Sequence, residues 1–231
     1  MHPVSVEIGE IADYASLLQE GGQPLDDSMY PCLTLPWDEV TFTCENSTWA
    51  PELRYLTYRL SNLEDNGFNV VLELMGEPFH SVDVTLDDTG GMIDGTVYPI
   101  LPERDDLDRS CRRLSVVIAF MAIAFLHTKQ GANLEDAPPL SRQVRRNNER
   151  KGVPTYERKI LTVPSIRNVV SRYRSAAARG VRLHIVRGHW ADYRENGLCG
   201  NPNNRGIFWK PPHVRGDKEL GEVSKDYHLA T

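Results

Sequence analysis

Cysteine is the first thing the sequence has little of. Cys32, Cys44, Cys111 and Cys199 are four in 231 residues, too few and too scattered for a disulfide framework. None forms a CxxC pair, which argues against a cysteine-built zinc ribbon. Long apolar runs are missing too. The longest, Leu114–Leu126, is broken by Ser115 and falls short of the ~20 residues a spanning helix needs. The opening MHPVSVEIGEIADY has neither the basic nor the apolar region of a signal peptide. The expectation is a soluble, reduced, cytoplasmic protein with no membrane partner. Glycine-rich phosphate loops, GxSxG and HExxH are also absent, and no cofactor or metal is expected.

Basic residues are scarce in one half only. Residues 1–110 hold 4 Lys/Arg against 22 Asp/Glu, a charge of −18, whereas residues 111–231 hold 22 against 10, a charge of +12. The overall −6 therefore conceals a bipolar chain, and each half needs its own account. The acidic pairs Asp26-Asp27, Asp87-Asp88 and Asp105-Asp106 fall in turns or a helix first turn, where carboxylates serve structure.

Apolar spacing predicts a short helix over Ile8–Gln19 and another over Pro51–Leu63, with Leu53, Leu56, Leu60 and Leu63 as its stripe. Residues 22–49, rich in proline, read as loop with short extended pieces. Strands are predicted at Phe68–Met75, Ser81–Leu86 and Met92–Ile100, with a turn at Asp88–Gly91. Asp105–His127 predicts a helix whose second half is apolar all round and belongs in the core. Residues 129–163 show no period, yet seven of the eighteen residues from Arg142 to Lys159 are Lys or Arg. Pro164–Arg179 returns to helix, and the tail alternates short strand-like runs with Gly and Pro turns. The predicted class is α+β, with helices around an antiparallel sheet, a long buried core helix over 105–127 and a small C-terminal β-element. Three regions follow: an acidic one over 1–128, a basic linker over 129–163, and a basic helix with the β-element over 164–231.

The densest chemistry is His184-Ile185-Val186-Arg187-Gly188-His189-Trp190 with Tyr193, followed by Phe208-Trp209-Lys210 and His213 with Arg215. Cations interleaved with aromatics suit RNA or single-stranded nucleic acid, since cations hold phosphate and ring faces stack bases. The candidate binding residues are Arg142, Arg145, Arg146, Arg150, Lys151, Arg182, His184, Arg187, His189, Trp190, Tyr193, Trp209, Lys210, His213 and Arg215. The same residue types also anchor protein interfaces. A metal-independent ribonuclease would use His184 and His189 as acid and base, with Arg187 on the phosphate. In a fourth reading these residues merely hold a small sheet together. Zinc at His184, His189, His213 and Cys199 lacks any standard ligand spacing.

The run HIVRGHWADY resembles the C-terminal signature of the second family of type V-A anti-CRISPR proteins and their phage-encoded relatives. The layout is similar upstream as well: a hydrophobic helix over Leu114–Leu126, Pro139-Leu140-Ser141-Arg142 opening a basic segment, and a helix over Pro164–Arg179. The matched positions are His184, Arg187, Gly188, His189, Trp190 and Tyr193. Ala191 and Arg194 depart from the family pattern, where a His and a second Trp stand. The resemblance implies a phage or mobile-element protein inside a bacterial host, acting by binding and without catalytic residues. Its characterised member suppresses production of the type V effector nuclease during translation by recognising the nascent peptide. The expected partners are thus a host protein, among them a nascent CRISPR effector peptide, and RNA or the ribosome. The expected function is an anti-defence or host-takeover factor, with an RNA endonuclease and a pure protein-binding inhibitor as alternatives.

Overall fold

The computed structural model describes residues 4–21, 30–48, 51–63, 66–99, 106–128, 132–152, 157–177, 184–198 and 202–215. Within these, the side chains of 51–52, 96–99, 106–115, 174, 176–177, 184 and 214–215 lie outside the description. The class is α+β. Eight strands form the main sheet: β1 (Val4–Glu7), β2 (Glu39–Thr43), β3 (Leu56–Leu63), β4 (Gly67–Leu74), β5 (Glu77–Leu86), β6 (Met92–Pro99), β7 (Asn133–Asp136) and β8 (Glu157–Thr162). Their order is β6-β5-β4-β3-β2-β1-β8-β7. From β4 to β6 the sheet is the expected antiparallel meander, and β2 and β3 extend it in the same antiparallel manner. Strand β1 departs from that expectation by lying parallel to both β2 and β8.

Period-two patterning decides which face is covered. The cross-strand partners Val40 and Leu60, Phe42 and Tyr58, Val70 and Val82, and Phe68 and Val84 all point to one side and are buried. The opposite face carries Arg59 paired with Glu73 at 2.9 Å, and Asn69 donating to Ser81 and Asp83. Helices α1 (Gly9–Glu20), α2 (Asp106–Leu126) and α4 (Pro164–Ala177) join the apolar side, with α1 against both α2 and α4. Within α2, Val117–Phe125 is buried all round, and Phe120 meets Phe68 edge-on at 6.0 Å.

The helix predicted over Pro51–Leu63 is instead a 3-10 turn, Pro51–Tyr55, followed by β3. Leu56 and Leu60 fit a helical stripe, but with Tyr58 between them they equally fit alternation. Pairing on both edges, with β2 and β4, settles the matter. Leu63, the last member of the supposed stripe, is 42% exposed.

The stretch 129–163, expected to be a patternless linker, contains β7, the helix α3 (Arg142–Arg150) and β8. Strand β8 sits beside β1, and Glu10 accepts from Val163 N at 2.8 Å and from Arg167 Nε at 2.6 Å. The sheet thus crosses residue 128 and ties the acidic and basic regions into one structure. No described helix is long and apolar enough to cross a membrane.

Candidate nucleic-acid interface

Strands β7 and β8 form the root of an arm, pairing antiparallel from Asn133↔Thr162 to Asp136↔Lys159, with α3 carried between them. All four β7 residues are exposed, and α3 buries none of its nine. Pro138-Pro139 precedes the helix, and Ser141 Oγ caps it by accepting from Val144 N at 3.3 Å. Gly152, at φ +65, ends it.

Arg142, Arg145, Arg146 and Arg150 fall at helical offsets that place them on one face, with Glu149 among them and Lys151 at the C-cap. That arrangement works against the helix. Arg142 and Arg146, and again Arg146 and Arg150, are like charges four apart. The first turn holds arginine and no acid, opposing the helix dipole. A short helix that buries nothing gains little from packing to offset such repulsion. An anionic ligand would offset it.

Several other cations are engaged within the fold. Lys159 reaches Asp136 at 3.0 Å and Glu157 at 2.7 Å, and Arg158 Nη1 donates to Pro138 O at 3.4 Å. Arg167 pairs with Glu10, and Arg194 with Asp192 at 2.7 Å. Among the described residues, none pairs with Arg142, Arg145, Arg146, Arg150 or Lys151.

The signature run forms part of a second structure, a two-stranded ribbon. Strands β9 (His184–Val186) and β12 (His213–Arg215) pair antiparallel, as do β10 (His189–Asp192) and β11 (Ile207–Lys210). One register runs through both pairs, since going from His184↔Arg215 to His189↔Lys210 advances one strand by five and retreats the other by five. The ladder stops between them, where Arg187-Gly188 lies opposite Pro211-Pro212. Prolines have no N–H to donate, so pairing lapses there. Ile185 and Trp190 would face opposite ways on a flat ribbon, yet both join the core, so the ribbon turns over at the break.

The ribbon's aromatics complete that core. Trp190 and Trp209 lie 4.4 Å apart between centroids, each is 4.9 Å from Phe125, and Tyr14 meets Trp209 edge-on at 6.4 Å. Trp209 is buried and donates Nε1–H to Ser165 Oγ at 3.2 Å. Gly188 is wedged beneath it: a Cβ there would meet Trp209 Cη2 at 2.5 Å and Pro212 Cδ at 2.9 Å. Gly188 N–H donates to the buried Tyr14 hydroxyl at 3.0 Å. Burial pushes the Tyr14 phenol up to about 12.

The expected site residues therefore separate into groups. Arg142, Arg145, Arg146, Arg150 and Lys151 are together and exposed on α3. Trp190 and Trp209 are not the exposed stacking surface anticipated, because their apolar area is used against Phe125 and Tyr14. Arg187 is half-buried beside Tyr14, and Lys210 Nζ sits 5.6 Å over the Tyr193 ring. His189 and His213 are exposed, on opposite sides of the ribbon's break. For His184 and Arg215 only the backbone is described, and Arg182 lies outside the described residues. Of the ribonuclease alternative's residues, His189 is exposed and Arg187 half-buried, and the side chain of His184 lies outside the described residues.

Sequence reasoning passed over two buried carboxylates. Glu7 accepts from the amides of Gly9, Glu45 and Asn46 and from the Thr43 hydroxyl. Asp13 accepts from the Ser47 hydroxyl and from Thr48. Together they bind the loop after β2 to α1, and burial raises Glu7 above the usual carboxylate range. Arg194 also has a structural task. Arg194 Nη1 donates to Thr89 O at 2.9 Å, linking the ribbon's loop to the β5–β6 turn. A cleft of about 860 Å³ lies alongside, lined by Asp88, Thr89 and residues 192–197. A third feature is an apolar tip: Tyr55, Leu74 and Met75 are exposed, with Met75 at φ 55 in the β4–β5 turn.

No protein-family model, no curated protein and no solved structure matches the chain.

Proposed function

We propose that this protein acts by binding, and that it associates with RNA, free or within the ribosome, through the arginine face of α3. The observation carrying this reading is that face itself: four arginines and a lysine, exposed, unpaired among the described residues and arranged at a cost to their own helix. Arginine is the residue best suited to phosphate, which it grips with two parallel N–H donors. The resemblance of HIVRGHWADY supplies the biological direction. RNA or ribosome association would serve an anti-defence or host-takeover factor that blocks production or activity of a host protein, a nascent CRISPR effector peptide among the candidates. The acidic region would choose that partner.

The test is co-sedimentation with host ribosomes and RNA at rising salt, with and without ribonuclease. The proposal expects association at low salt that fades as salt rises and disappears after ribonuclease. Association that ignores both treatments would contradict it.

The second reading, a purely protein-binding inhibitor, is favoured by the apolar tip at Tyr55, Leu74 and Met75. Met75 and Gly76, both at positive φ, are the two loop residues of the β4–β5 hairpin, a turn that holds Met75 outward at the tip. A partner retained after ribonuclease, and lost from a Tyr55→Ser, Met75→Asn variant, would support that reading.

A further inference from the structure

Resting on the RNA-binding reading, we infer that α3 recognises the phosphate backbone of double-helical RNA without regard to base sequence, rather than single-stranded RNA through stacked bases. Two observations carry this. The first is what helix α3 lacks. Single-strand binders need exposed ring faces for successive bases. The sequence from Arg142 to Gly152 contains no aromatic residue, Tyr156 beyond it lies outside the described residues, and the tryptophans of the ribbon are packed against Phe125 and each other. Tyr55 is exposed, but it adjoins β3, four strands from β7 in the sheet order, about 19 Å away at the usual strand spacing.

The second observation is what the arm has. Arg142, Arg146 and Arg150 are fixed at successive intervals of about 6 Å along the helix, with Arg145 on the same face. A duplex holds its phosphates in an equally fixed, dense array, so a helix lying along the backbone finds phosphates within reach of its guanidiniums. A flexible single strand must be ordered to present the same array, and at lower charge density. The helix carries Gln143, Asn147 and Asn148 on its other sides, and the deep, narrow major groove of A-form RNA is closed to side chains. Recognition by backbone and shape is what remains.

The experiment measures binding of the full chain, by fluorescence anisotropy across a salt series, to three probes. These are a two-turn RNA duplex, a second duplex of permuted sequence, and a uridine homopolymer of equal length. The expected result is several-fold tighter binding to both duplexes than to the homopolymer. The two duplexes should bind alike, and the Arg142→Gln, Arg146→Gln, Arg150→Gln variant should lose the duplex preference. Because α3 buries no residue, that variant should melt with the wild type, which keeps a loss of binding from being read as unfolding. Equal or tighter binding to the homopolymer would overturn this inference while leaving RNA association standing, as would unequal duplexes or a preference that survives the variant. Salt-independent behaviour toward every probe would overturn both. Polyglutamate, added to the three RNAs as an acidic control, would overturn both in favour of an acidic protein partner if it were held more tightly than either duplex.

Discussion

At the scale of single residues, the most informative position is Gly188. Its value lies in the absence of a side chain, since the Trp209 ring and Pro212 fill the place a Cβ would take. Gly188→Ala should overpack that contact and destabilise the fold by about 1–3 kcal/mol, read as a lower denaturant midpoint with RNA affinity unchanged. Its hydrogen-bond partner gives a second prediction. The ordinary tyrosine value of 10 is raised to about 12 in folded Tyr14, with burial the chief cause. A raised folded-state value means that Tyr14's contribution is whole below pH 10 and is lost as pH climbs toward 12. The loss amounts to about 2–3 kcal/mol. In Tyr14→Phe that loss vanishes, so unfolding titrations of the two proteins should converge over that interval. Parallel curves would show that Tyr14 is not held as described.

At the scale of elements, the arm and the ribbon obey opposite rules. Helix α3 gets its start from Ser141 and nothing from burial. Ser141→Ala should therefore fray it, speeding amide exchange over residues 142–151 and weakening RNA binding modestly, while the melting temperature stays in place. A fall in melting temperature would mean that α3 is packed after all. This contrast also explains what the sequence disclosed. Strands β5 and β6 were legible because Val82, Val84 and Leu86 alternate with polar partners and a glycine turn follows. The apolar run within α2 was legible by its length. Strands β1, β7 and β8 were hidden because each is short: β1 alternates Val4 and Val6 with Ser5 and Glu7, but over four residues only. Helix α3 was invisible to apolar periodicity because it has one apolar residue, Val144; the period lay in its arginines. For the ribbon's tryptophans, composition alone leaves the readings open, because it does not tell a ring that stacks on a base from one that packs on Phe125.

At the scale of the whole molecule, the division of charge into −18 and +12 does not mark two independent bodies. Strand β8 and helix α4 come from the positive side and are built into a core begun by β1 and α1. Some basic residues, Arg167 and Arg194 among them, face the acidic side and link the two. Five of the remaining cations, Arg142, Arg145, Arg146, Arg150 and Lys151, gather on the arm. The central claim is therefore that the arm, and not the signature ribbon, holds RNA. The most direct measurement compares salt-dependent RNA affinity in two full-length variants. One is Arg142→Gln, Arg146→Gln, Arg150→Gln on the arm, and the other is His189→Gln, Lys210→Gln, His213→Gln on the ribbon. The account predicts that the arm variant binds at least ~10-fold more weakly and that its log–log salt slope falls by about 2–3, with the ribbon variant close to wild type. A ribbon variant that loses affinity while the arm variant keeps it would contradict the account.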